Sequence, residues 1–74
     1  MHGNIKEPIE ILLDIYNVKG EKVKTILNQY LPKGKHSISW NGTSSDNSLV
    51  SSGVYFFILQ ADEKYYSNKM ILLK

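Results

Sequence analysis

The sequence predicts an all-β domain, a small antiparallel sandwich of short strands, on three observations. Residues 8–16 alternate apolar and polar with a period of two, the pattern of a half-buried strand. β-Branched and aromatic residues crowd the last third of the chain, where they suit a pleated, packed surface. Turn-forming residues interrupt the chain at 17–20, 31–34, 41–52 and 62–64, close to the spacing that an all-β sandwich of short strands requires.

Taken in order, residues 1–7, "MHGNIKE", read as a flexible N-terminal remnant, with Met1 suiting a start placed before a fragment, and residues 8–74 read as the folded domain. In "PIEILLDIY", Ile9, Ile11, Leu13 and Ile15 face one way and Glu10, Asp14 and Tyr16 the other; Leu12 greases the outer side. "NVKG" then brackets a tight turn between Asn17 and Gly20, where glycine takes positive φ at no steric cost. The next stretch, "EKVKTILNQYL", is ambiguous. Val23, Ile26, Leu27, Tyr30 and Leu31 fall at helical spacing, while the hairpin turn before them and the Thr25-Ile26 pair favour a strand. "LPKG" is a turn built on Pro32 and Gly34. A short strand is expected at "HSISW", with His36, Ile38 and Trp40 on one face. Residues 41–52 form a long polar loop that the Leu49-Val50 pair is expected to tuck onto the core. "GVYFFILQA", apolar on both faces, reads as a central strand, and "DEK" turns the chain into the final strand "KYYSNKMILLK". The count is five strands, or four and a helix.

Composition narrows the function classes. With 74 residues the chain is one small domain that buries only about 60% of its unfolded surface. The 42% hydrophobic and 22% charged residues are those of a folded globular protein. Cysteine is absent, so neither a disulfide framework nor a thiolate metal site is available. All nine basic residues are lysines and they are spread along the chain, which argues against nucleic-acid binding, where arginine supplies the bidentate contacts. No apolar run approaches the ~20 residues of a membrane span, and the N-terminus has no signal-peptide core. Any export signal lies outside this chain.

Catalysis needs a nucleophile, a base and an orienting group that converge. The only histidines are His2, near the terminus, and His36, on a strand near Trp40, where packing explains it. Glu7, Glu10 and Asp14 read as surface carboxylates paired with lysines of the neighbouring strand. Asn41, Asp46 and Asn47, with Asp62 and Glu63, offer oxygen ligands for calcium but lack the order of a known calcium loop. "NGT" at Asn41 matches a glycosylation sequon and also an Asn-Gly turn. Trp40 with Tyr65 or Tyr66 could make a sugar platform, although the only tryptophan of a small domain belongs in its core. The sequence therefore predicts a protein that is not an enzyme and holds no cofactor or metal.

"IYNVKGEKVKTI", then "LPKGKHSISWNG", then "LVSSGVYFFIL" and the terminal "KMILLK" resemble, in order and spacing, the C-terminal sorting domain of the type IX (Por) secretion system in its type A form. The same blocks are similar to the immunoglobulin-like domain of the flagellar hook-capping protein. The resemblance runs from Ile9 to Lys74 and implies an immunoglobulin-like sandwich at the end of a larger exported protein. On it, Gly20 and Gly34 are the turn glycines, and Gly53, Val54 and Tyr55 open a strand. Lys69, Met70, Ile71, Leu72, Leu73 and Lys74 are the block that outer-membrane translocon proteins read. The resemblance also favours a strand over residues 21–29. It implies an upstream cargo domain in the same polypeptide and, after periplasmic transit, a secreted or cell-surface location. The family begins with an extra strand introduced by an Asn-Pro segment, of which "MHGNIKEP" holds at most a remnant, so the sandwich is expected to lack part of its first strand. The exposed edge left behind invites a homodimer or strand exchange. The other expected role is an immunoglobulin-like spacer of a secreted enzyme or filament protein.

Overall fold

The computed structural model describes residues 2–73. Six strands follow in order: β1 (His2–Ile5), β2 (Ile9–Tyr16), β3 (Lys22–Leu31), β4 (Gly34–Ser37), β5 (Gly53–Ala61) and β6 (Lys64–Leu72). No helix occurs among the described residues. Four strands make an antiparallel sheet in the order β3-β2-β5-β6, and β1 pairs with β4 in a two-stranded ribbon. The fold is an all-β, immunoglobulin-like antiparallel sandwich in which one layer is half the width of the other.

The alternation in β2 sets the core. Ile11, Leu13 and Ile15 are buried on one face, with Leu31 and Tyr55 beside them. Leu13 and Ile15 are fully buried, each contributing about 1.5–3 kcal/mol relative to exposure. Register places Ala61, Leu59 and Phe57 of β5 beside Ile11, Leu13 and Ile15, so this face continues across the hairpin. The ribbon lies over that face through Ile5, His36 and Ile38. Beyond the ribbon, Trp40 meets Tyr55 edge-on with ring centroids 5.1 Å apart. On the opposite face Asp14 is only 5% exposed. Its Oδ1 accepts a hydrogen bond from Thr25 Oγ1 across the strand pair (2.6 Å), and Lys22 Nζ stands 3.7 Å from its other oxygen.

The ambiguous stretch is strand. β3 pairs with β2 from Leu31 opposite Ile9 to Lys22 opposite Tyr16, with irregularities between Leu13 and Asp14 and between Ile15 and Tyr16. Ile26 and Val23 are the extra residues at these two bulges, and each moves the following side chains to the other face. Three expectations need correction. Residues 2–5, expected within a flexible remnant, pair with β4, His2 opposite Ser37 through Ile5 opposite Gly34. The fourth strand covers 34–37 rather than 36–40. His36, Ile38 and Trp40 keep their half-buried alternation with exposed Ser37 and Ser39, and the described ladder with β1 runs from Ile5 opposite Gly34 to His2 opposite Ser37. Of the Leu49-Val50 pair expected to tuck the loop down, Leu49 is 75% exposed and does not, while Val50 is half-buried. Polar contacts hold that loop instead: Val50 N–H donates to Gly42 O (3.0 Å), Ser44 N–H to Ser48 O (2.9 Å), and Ser45 N–H to Val23 O of β3 (3.0 Å).

Candidate functional site

β6 is the last strand of the larger sheet. One edge pairs with β5 along its whole length, Ala61 opposite Lys64 through Gly53 opposite Leu72, and no described strand lies on the other. Alternation then divides the terminal block. Met70 and Leu72 are half-buried on the core face, opposite Tyr55 and Gly53, whereas Ile71 is 66% and Leu73 is 83% exposed. Lys69 is exposed, and its backbone N–H donates to the Asn68 side-chain oxygen (2.8 Å). Lys74 lies outside the described residues. An open backbone edge flanked by two exposed aliphatic side chains can add an extended peptide as a further strand, with main-chain bonds giving affinity and the side chains selectivity.

The strand-opening residues brace this block. Gly53 and Val54 pair with Leu72 and Ile71, and buried Tyr55 pairs with Met70. The Tyr55 hydroxyl donates to Ser51 O (2.7 Å), four residues upstream, the device of a tyrosine corner that fixes a loop to the start of a strand. Its ring packs on Trp40, whose Nε1–H donates to Thr43 O (2.8 Å). Thr43, itself buried, accepts from Lys24 Nζ (2.9 Å) and donates to Asn41 Oδ1 (2.6 Å). The chain from β3 through the 41–52 loop to β5 and β6 is thus tied together, a connection that sequence pattern did not reveal. The signal was present in the Tyr at the third position of the strand, preceded by a Ser-rich loop.

Neither Gly20 nor Gly34 belongs to β6 or to the strand it pairs with. Gly20 has φ 81° and closes the β2–β3 turn, where Asn17 Oδ1 accepts from the Lys19 and Glu21 amides (2.9 and 3.0 Å). Gly34 has φ 130° and starts β4. Both are conformational and do not touch the terminal block.

The alternative chemistries are not brought together. His36 Nε2 donates to Pro32 O (2.7 Å). Asp46, fully exposed, accepts from Ser44 Oγ (2.5 Å) and Ser48 N–H (3.0 Å), and these bonds lower its pKa from 3.8 to about 2. No group of three His, Cys, Asp or Glu that could hold a metal occurs among the described residues. Tyr65 lies on the opposite face of the sheet from Tyr66, which shares the core face with Leu59. Tyr66 pairs with Leu59, four residues along β5 from the Tyr55 that Trp40 packs on, roughly 13 Å away. No joint sugar platform forms.

The model of one protein family, described as the FlgD Ig-like domain, matches residues 3–64. No curated protein matches the chain.

Proposed function

Because the chain belongs to the family of FlgD Ig-like domains, we propose that it is a non-catalytic module of a larger exported protein, and that its last strand serves as the sorting signal read by outer-membrane translocon proteins. The family is one of structural domains. The observation that carries the sorting reading is the free edge of β6, presented with Ile71 and Leu73 outward while Met70 and Leu72 hold the strand to the domain. A translocon component would dock by strand addition along Lys69 to Leu73. The host would then reach the cell surface or the medium after crossing the periplasm, with the cargo domain upstream in the same polypeptide.

The family match itself supports a second reading, an immunoglobulin-like spacer that holds a larger secreted enzyme or filament protein together. Export of a full-length host separates the two. Deleting residues 69–74 removes the partners of Gly53 to Phe56 and weakens the fold, so the informative variant is Ile71→Ser with Leu73→Ser, which leaves Met70 and Leu72 in place. Periplasmic accumulation of the folded double variant is the expected result. Normal export of both the double variant and the deletion, with reduced stability of the deletion alone, overturns the sorting reading in favour of the spacer.

A further inference from the structure

The register of β6 determines what a strand added at its open edge would meet. Asp62 and Glu63 form a two-residue turn closed by the pair Ala61 and Lys64, and from there the ladder with β5 runs without irregularity to Gly53 opposite Leu72. In an antiparallel ladder alternate residues turn their N–H and C=O groups toward the neighbouring strand, and the residues between them turn these groups away. One bond identifies the outward set. The Lys69 N–H donates to Asn68 Oδ1 (2.8 Å), so it points away from β5. Tyr65, Ser67 and Ile71 share its phase, and all four side chains stand on the outer face. Asn68 starts on the other face, where it and Tyr66 line an open, largely apolar cleft beside the β1–β4 ribbon, and its amide reaches the edge from there.

The outward residues lack partners of two kinds. Lys69 lies opposite Phe56 with Ser67 and Ile71 on either side, and neither β5 nor β6 contains an acidic residue. Lys69 makes no ion pair among the described residues. Ile71, two positions along the same face, is 66% exposed. A single added strand meets both side chains through residues that are likewise two apart, because directly opposed residues share a face.

Resting on the reading of β6 as the docking edge of a sorting signal, we propose that its partner is an extended segment with a carboxylate opposite Lys69 and, two residues away, an apolar side chain opposite Ile71. A carbonyl of that segment takes the Lys69 N–H from Asn68. The carboxylate supplies the counter-charge that the domain lacks, and the apolar side chain covers Ile71. Until the partner arrives, Asn68 satisfies the exposed amide. The same cap discourages pairing with unselected strands, since a strand that adds there has to displace it.

Amide exchange and a peptide titration, both followed by nuclear magnetic resonance on the 74-residue chain, test the proposal. Asn68 is exposed, so Asn68→Ala leaves the core intact; it should speed exchange of the Lys69 amide about fivefold and leave those of Ser67 and Ile71 unchanged. The probe is the acetylated and amidated peptide Thr-Val-Thr-Glu-Thr-Val-Thr, whose symmetry presents Glu and Val two residues apart in either strand direction. It should shift the amides of Lys69 and Ile71 and bind the Asn68→Ala chain about fivefold more tightly. Replacing its Glu by Lys should weaken binding about fivefold or more. The proposal is overturned by a Lys69 amide that Asn68→Ala leaves unchanged, by equal binding of the Glu and Lys peptides, or by no shift in either chain at about 5 mM peptide. Export of a host carrying Ile71→Ser with Leu73→Ser sets the two readings apart. Normal export alongside the expected peptide binding removes the sorting role and the partner inferred for it, while retention without peptide binding removes the partner chemistry alone.

Discussion

Truncating Tyr55 in two steps separates the contribution of its hydroxyl from that of its ring. Tyr55→Phe removes one hydrogen bond, the one to Ser51 O at 2.7 Å. A neutral bond of this kind contributes about 1 kcal/mol, and a stranded buried acceptor costs up to about 3. Ser51 is exposed, so water can satisfy its carbonyl and the lower figure applies. Tyr55→Ala also removes a buried ring, at about 3–5 kcal/mol, and the edge-on contact with Trp40 at 5.1 Å, which adds about 1 kcal/mol. A domain of 74 residues has a total stability of about 4–11 kcal/mol. The phenylalanine variant should therefore melt about 4–8 °C lower, while the alanine variant should lose about 5–7 kcal/mol, roughly half of the domain's stability or more. Urea unfolding at one fixed protein concentration, followed by Trp40 fluorescence and far-UV circular dichroism, reads both. Equal losses from Phe and Ala would place the whole contribution in the hydroxyl and refute the packing account; an unchanged Phe variant would refute the tyrosine-corner role.

Gly20→Ala should cost about 1–2 kcal/mol by denaturant titration, because φ 81° is left-handed for an L-residue. A Cβ there meets nothing within 4 Å, so a loss above about 3 kcal/mol would mean that the cause is not backbone strain. Asp46 has a folded pKa of about 2, below its ordinary 3.8. Its stabilising contribution is therefore complete above 3.8 and is lost as pH falls through about 2. Asp46→Asn should flatten that part of the thermal stability curve against pH, and an unaltered acid limb in the variant would show that other carboxylates account for it.

The strands were legible wherever a period of two survived. Ile9 to Tyr16 alternates cleanly because β2 pairs in register with β5 from Ile11 to Tyr16, with no irregularity. The stretch after it imitated a helix for a physical reason. The two bulges of β3 insert Val23 and Ile26 between residues that pair normally, and each insertion shifts the alternation by one. From Leu27 to Leu31 the register is regular, but Gln29 stands opposite core-facing Ile11 and Tyr30 opposite Glu10, so Val23, Ile26, Leu27, Tyr30 and Leu31 fall at a spacing near 3.6. The facing of His36, Ile38 and Trp40 was readable, but the pairing of residues 34–37 depended on a distant strand, His2–Ile5, which the local pattern does not encode. The 41–52 loop illustrates the same limit. Its apolar pair looked like the anchor, yet backbone amides and the Thr43 hydroxyl hold it, and polar contacts of this kind leave no hydrophobic pattern. For the terminal block, alternation gave the two faces; the open edge of β6 follows only from the strand order.

That strand order gives β6 three separate surfaces. β6 presents its core face to the cleft through Tyr66, its outer face to solvent through Tyr65 and Ile71, and its backbone edge to neither layer. A translocon strand added at the edge would use the third of these surfaces and read Ile71 and Leu73 beside it. Lys64 and Lys69 sharpen the difference, because they disfavour pairing with an equally basic strand and leave the edge open to a neutral or acidic one. If the edge alone is read, a full-length host carrying Tyr66→Lys is exported as the wild type is, while one carrying Ile71→Ser with Leu73→Ser is retained. Retention of the Tyr66 variant would mean instead that the cleft has to be counted as part of the address.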